Sequence, residues 1–174
     1  PDQMERSEIV DRTQFRSHFA QGGLVVFPVI HVIDSEQTQR NIGLAMAAGC
    51  PGVFLINHDF GVSEFLSILR SARNAYPDVW IGVNFLAVTG KDAFPILAEL
   101  RLGGTRIDAY WADDARIDER RAEDEQQEAK EIASVRRECG WHGLYFGGTA
   151  FKKQREVAPA GYAKSARIAC DFMD

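Results

Sequence analysis

Residues 24–34 read LVVFPVIHVID, a run apolar at successive positions that closes on an aspartate. A strand with one wet face alternates apolar and polar residues; one apolar on both faces is covered on each side, the habit of parallel sheets. Pro28 removes a single ladder donor from it. The pattern then repeats along the chain. Residues 36–48 carry a helical period closed by Gly49 and Pro51, and residues 52–59, GVFLINHD, form a second apolar strand with a polar end. A helix after Ser63 places Phe65, Leu66, Leu69, Ala72 and Tyr76 on its apolar side. Residues 80–87, WIGVNFLA, give a third strand, followed by a helix expected from Asp92, with Pro95 in its first turn, to Gly103 and Gly104. Residues 106–115, RIDAYWADDA, give a fourth strand, and the charge run from Arg116 to Glu131 is expected to begin a fourth helix. Residues 143–151, GLYFGGTAF, give a fifth strand and residues 160–169 a fifth helix; residues 170–174, CDFMD, look like the opening of a sixth strand. Ahead of all this, residues 1–23 read as a short amphipathic helix with Asp11 as cap, Phe15 and Phe19 on one face, and Gly22-Gly23 as stop.

Unbroken strand–helix alternation implies right-handed crossovers and a parallel sheet. Two architectures share it. One is the (β/α) TIM barrel, of which this chain would supply roughly the first five to six units. The other is an open doubly wound five-stranded sheet. A barrel takes about 250 residues, so a chain of 174 residues suits the open sheet by length. Two features favour the barrel. Polar residues follow every strand, whereas an open sheet gathers them at one switch point. The chain also stops as a new strand opens. Residues 1–174 are therefore expected to form a single (β/α) domain, a barrel cut short, and the opening on Pro1 implies residues ahead of it.

Composition narrows the function. Hydrophobic residues at 45% and charged residues at 26% give ordinary globular balance. A net charge of -5 without a basic block gives no support for nucleic-acid binding. No apolar run approaches the roughly 20 residues that span a bilayer, and no secretory signal is present. Cys50, Cys139 and Cys170 are odd in number, lie far apart and lack CxxC spacing, which argues against a disulfide framework and a structural zinc. A reducing cytoplasm is the expected setting. No cofactor is indicated, and the open edges of a partial barrel make a homo-oligomer one way of covering them.

In a barrel the C-terminal strand ends hold the site. Those ends offer His31 and Asp34; Asn57, His58 and Asp59; Asn84; Trp111, Asp113 and Asp114; and Gly147, Gly148, Lys152, Lys153 and Gln154. His31, His58 and Asp113 are the catalytic candidates, with an imidazole moving the proton. Asn57 and Asn84 would orient substrate. Gly147, Gly148 and Lys152 would hold an anionic group, through backbone amides freed at the strand end and a lysine beyond them. The plainer readings stand beside these. A histidine in an apolar strand is more often a satisfied core residue, Asp59 and Asp114 can serve as caps, and a lysine-bearing loop can simply face water. Paired carboxylates such as Asp113 and Asp114 suit a divalent cation or an acid–base pair, but no metal site is assigned.

The order of motifs resembles the family of the photosystem I biogenesis protein BtpA. The matching residues are Pro28, Val29, Ile30 and His31, then Ala48, Gly49, Gly52 and Val53, then Asn57, then Gly82, Val83 and Asn84, over roughly residues 24–110. The resemblance implies a full-length TIM barrel and little chemistry, since that family is known mainly for its association with photosystem accumulation. The chain departs from it at HDF after Asn57 and at FGGTAFKKQ. Three functions are thus expected in turn. The first is a TIM-barrel enzyme acting on a small phosphorylated or carboxylated metabolite. The second is a non-catalytic BtpA-like assembly or regulatory factor. The third is a nucleotide-binding open sheet, which lacks the GxGxxG turn where HVIDSEQ stands.

Overall fold

Five strands hydrogen-bond in the order of the sequence, β1-β2-β3-β4-β5, and every pair is parallel. This is a computed structural model, and it describes residues 12–20, 22–150 and 155–174. The strands are β1 (Val29–Val32), β2 (Gly52–Asn57), β3 (Trp80–Asn84), β4 (Ala109–Ala112) and β5 (Leu144–Gly147). The helices are α1 (Arg12–Ala20), α2 (Ser35–Ala47), α3 (Val62–Ala75), α4 (Gly90–Leu102), α5 (Gln127–Glu138) and α6 (Tyr162–Ala169). Consecutive order is what a barrel requires. The open doubly wound alternative needs a switch in strand order, and the sheet has none.

Register divides the side chains into two faces, because neighbours in a parallel pair point the same way. Leu55, Val83, Tyr110 and Tyr145 lie in one row across the sheet. They pack with Ile42, Phe65, Leu69, Phe94, Leu97, Ile132 and Ile168 of the helices, and this is the main core. The opposite, concave face is aromatic. Phe54 meets Trp80, Trp111 and Phe146 with ring centroids 5.2, 6.0 and 6.1 Å apart. Helix α1 lies over this face through Phe15, whose ring stands 5.3 Å from Phe27, 5.3 Å from Trp80 and 5.5 Å from Phe146.

At the N-terminal ends of β3 and β4 a buried ion pair holds the sheet to α3. Arg73 donates to Asp108 Oδ2 at 2.8 Å and to the carbonyls of Tyr76, Pro77, Val79 and Arg106. Asp108 Oδ2 also accepts from the Ile81 amide at 2.8 Å. Burial pushes the Arg73 guanidinium below its ordinary value, with Asp108 opposing that shift.

Three sequence expectations are corrected. Residues 116–126 are a loop containing one 3-10 turn, Glu123–Glu125, and helix begins only at Gln127. The charges there pair with one another, Arg120 with Asp118 at 2.8 Å and Arg116 with Asp114 at 3.6 Å, instead of lining a helix face. Helix α4 begins at Gly90, so Pro95 lies within it, past the first turn. Residues 170–172 form a turn, and only Asp174 reaches the edge of β5, its amide donating to Tyr145 O at 2.9 Å. Asp174 Oδ2 accepts from the Tyr145 amide and from Arg136. The edge of β1 away from β2 borders a groove of about 600 Å³ that includes Val26, Val29 and Leu44.

Candidate functional site

On the concave face the rows run His31, Ile56, Asn84, Trp111 and Phe146, and one step further toward the C-terminal ends His58, Asp113 and Gly148. His31 and His58 leave adjacent strands and stack, ring centroids 4.4 Å apart and planes 16° from parallel. Both are exposed. Lone pairs of the ring nitrogens lie in the ring planes, and planes stacked this way do not bring two of them together on one metal ion.

Asn84, fully buried, donates from Nδ2 to Asp113 Oδ1 at 2.9 Å. Its Oδ1 is buried with no partner among the described residues. Asp113 is partly exposed at the mouth. Its neighbour Asp114 turns away: Oδ1 accepts the Arg116 amide at 2.8 Å in a turn of the loop, and the helix that it was expected to cap begins only at Gln127. The loops behind both residues are conformationally unusual. Ala87, after β3, has φ 62°, and Arg116, after β4, has φ 61°. These are the two non-glycine residues with positive φ among those described, and such backbone clusters at functional sites.

Asn57 does not join this group. Its register partner is Val32, which places it on the helix-facing side of the sheet. There its Nδ2 donates to Phe60 O at 2.7 Å and its Oδ1 accepts from the Leu86 amide at 3.1 Å. With both ends of the amide engaged, Asn57 ties the loop after β2 to the end of β3.

The loop after β5 is also corrected in part. The Gly148 amide is not free, since it donates to Ala112 O at 2.9 Å and Gly148 O accepts from Ala115. A Cβ on Gly147 would stand 2.6 Å from Ala115 Cβ and against the sulfur of Met173, so packing accounts for that glycine. Lys152, Lys153 and Gln154 lie outside the described residues. Asp34 is the cap of α2, accepting from the Gln37 amide at 2.7 Å. Sequence reasoning found both histidines but not their contact; the available signal was that they stand near the C-terminal ends of two successive strands. It missed the Arg73–Asp108 clamp, because nothing in the spacing ties a mid-helix arginine to a residue 35 positions on.

This geometry decides the architecture. The fold is a partial (β/α) barrel. Among solved structures, the chain is similar to a mandelate racemase/muconate lactonizing protein from Herpetosiphon aurantiacus, at TM-score 0.56 and 13% identity, over 86% of this chain and 45% of that one. It is similar to the 3,6-anhydro-D-galactonate cycloisomerase from Zobellia galactanivorans at TM-score 0.53 and 13% identity, over 83% and 36% of the two chains. A dipeptide epimerase from Enterococcus faecalis V583, complexed with Mg and the dipeptide L-Leu-L-Tyr, matches at TM-score 0.50 and 11% identity, over 71% and 31%. The chain thus spans less than half the length of these neighbours, and the likeness is one of fold. No protein-family profile matches the chain, and no curated protein matches it in sequence.

These neighbours overturn the resemblance to the BtpA family. The strands PVIHV, GVFLINH and IGVNFL look alike in the two because barrel strands covered on both sides all need the same apolar runs. The assembly role that the resemblance suggested falls with it. No helix among the described residues is long and apolar enough to cross a membrane.

Proposed function

We propose that the chain belongs to a (β/α)-barrel enzyme that moves a proton on a small carboxylated or phosphorylated metabolite. The observation that carries this is the exposed stack of His31 on His58 at the C-terminal strand ends of the concave face. Imidazole gives and takes protons near neutral pH, and a barrel places its chemistry at this end of its strands. One ring can present a proton while the other receives one, and Asn84 with Asp113 stands on the same face to orient the substrate. An imidazole N–H on the same face can also donate a hydrogen bond to a carboxylate or phosphate. Residues 1–174 are read as one domain of such a barrel, and the three free cysteines suit a reducing cytoplasm.

The Mg named for the dipeptide epimerase is not carried over. Asp113 is one inward carboxylate beside an amide, Asp114 is turned to Arg116, and no group of three metal-ligating side chains exists among the described residues. A magnesium ion asks for near-octahedral oxygen ligands, which this donor set does not supply.

The test is exchange of carbon-bound hydrogen. The protein is incubated in D2O with small carboxylated and phosphorylated metabolites and the loss of their C–H signals is followed by NMR. His31→Gln and His58→Gln are each expected to slow exchange by about 100-fold or more. Exchange at the wild-type rate in both variants, or none with any acid tried, rejects the reading.

A further inference from the structure

The free valences around Asn84 have a chemical sign. Its Nδ2 faces Asp113, and the reverse orientation would set the amide oxygen against a carboxylate, so the amide is fixed with Oδ1 turned away from Asp113. That oxygen is buried and unpartnered. Among the described residues no donor reaches the second oxygen of Asp113 either, and this residue is the partly exposed member of the pair. What the pair offers a ligand is therefore mainly acceptors, two unpartnered oxygens against the one remaining N–H of Asn84 Nδ2. Buried acceptors cost free energy until a donor reaches them. A carboxylate or phosphate placed here would meet oxygen lone pairs and a like charge.

We infer that Asn84 and Asp113 form a subsite for a hydrogen-bond donor on the substrate, a hydroxyl or an ammonium group, while the acidic group lies toward His31 and His58. This rests on the proton-transfer reading above and names its substrate class: a short 2-hydroxy or 2-amino acid, or a hydroxylated phosphate ester. The spacing supports a short ligand. His58 and Asp113 end strands two places apart in the sheet, about 10 Å along it at the usual strand separation. Subtracting a contact of about 3 Å at each end leaves about 4 Å, the span of three or four bonds. Asn84 is here a specificity-determining residue, reading the substituent that a plain acid lacks. The positive-φ residues Ala87 and Arg116 each lie three positions after a member of the pair.

The 15N-labelled chain of residues 1–174 is titrated with propionate, lactate and alanine, and separately with 1,2-propanediol, which carries the donors but no acid. The side-chain amide signal of Asn84, assigned by its loss in Asn84→Leu, is the readout. Lactate or alanine is expected to bind at least about 10-fold tighter than propionate and to move that signal, and Asn84→Leu and Asp113→Asn to abolish the difference while propionate binding persists. Propanediol moving the signal with no response to any of the acids supports the donor subsite and rejects the anionic reading of the histidine side. Equal affinity for the three acids, discrimination that survives in both variants, or an Asn84 signal that no compound moves overturns the inference. Folding of each variant is checked by its dispersed amide spectrum. Asn84→Asp serves in place of a variant that fails this check, and is expected to lose the preference for lactate over propionate.

Discussion

Arg73 and Asp108 lie 2.8 Å apart with both side chains 6% exposed, and the pair joins a helix to two strands. Removing one partner leaves the other buried and unpaired, which costs about 3–5 kcal/mol. Asp108→Ala is expected to lose that much in urea denaturation, since the Ile81 amide loses its acceptor as well. Asp108→Asn, which keeps an acceptor for both donors, is expected to lose less. A loss below about 1 kcal/mol in Asp108→Ala would show that the sheet does not depend on this clamp.

Asn57 supplies a second prediction, because its amide is engaged at both ends on the helix side. Asn57→Ala leaves the Leu86 amide and the Phe60 carbonyl without these partners, at a cost of about 1–3 kcal/mol. Thermal denaturation should show the loss, while the ratio of lactate to propionate binding stays as in the wild type. A change in that ratio without loss of stability would place Asn57 in the site after all.

The loop after β4 is tied to the segment ahead of α6 by carboxylates, and this tie should be sensitive to acid. Arg155 donates to Glu119 at 2.9 Å, and Arg120 donates to Asp118 at 2.8 Å. The side-chain hydrogen bond from Arg120 holds Asp118 far below the ordinary carboxylate range, and that from Arg155 lowers Glu119. A carboxylate depressed in the folded state contributes stability above its unfolded pKa, about 4, and loses it as pH falls through the folded value. Stability should therefore drop as pH falls below about 4. Arg155→Gln should flatten part of that drop, measured by denaturation at a series of pH values. An unchanged acid limb in the variant would remove Arg155 from the account.

Much of the fold was legible because apolar strands, their lengths and their order are written along the chain, and the five strands stand where residues 24–34, 52–59, 80–87, 106–115 and 143–151 put them. What single residues do was less legible, since that depends on parity. Asn57 and Asn84 each look like a polar residue in an apolar strand, yet one step of register places Asn57 beside Val32 and Asn84 beside Ile56, on opposite faces. Gly82 could be read as room for a ligand or for a facing side chain; a Cβ there would run into the Phe54 ring, so the side chain fills it. The charge run after β4 carried no period to reveal that its arginines and aspartates would pair within a loop.

Because each strand hydrogen-bonds to the one before it and the one after it in sequence, the sheet can grow by adding one unit at a time. Each closure between successive strands spans one helix and its loops, so the entropy cost of adding a unit is similar along the chain. Cooperativity then passes from unit to unit as it does along a solenoid. A lesion in β3 would part β1–β2 from β4–β5, so the chain is expected to unfold from its middle as readily as from its ends.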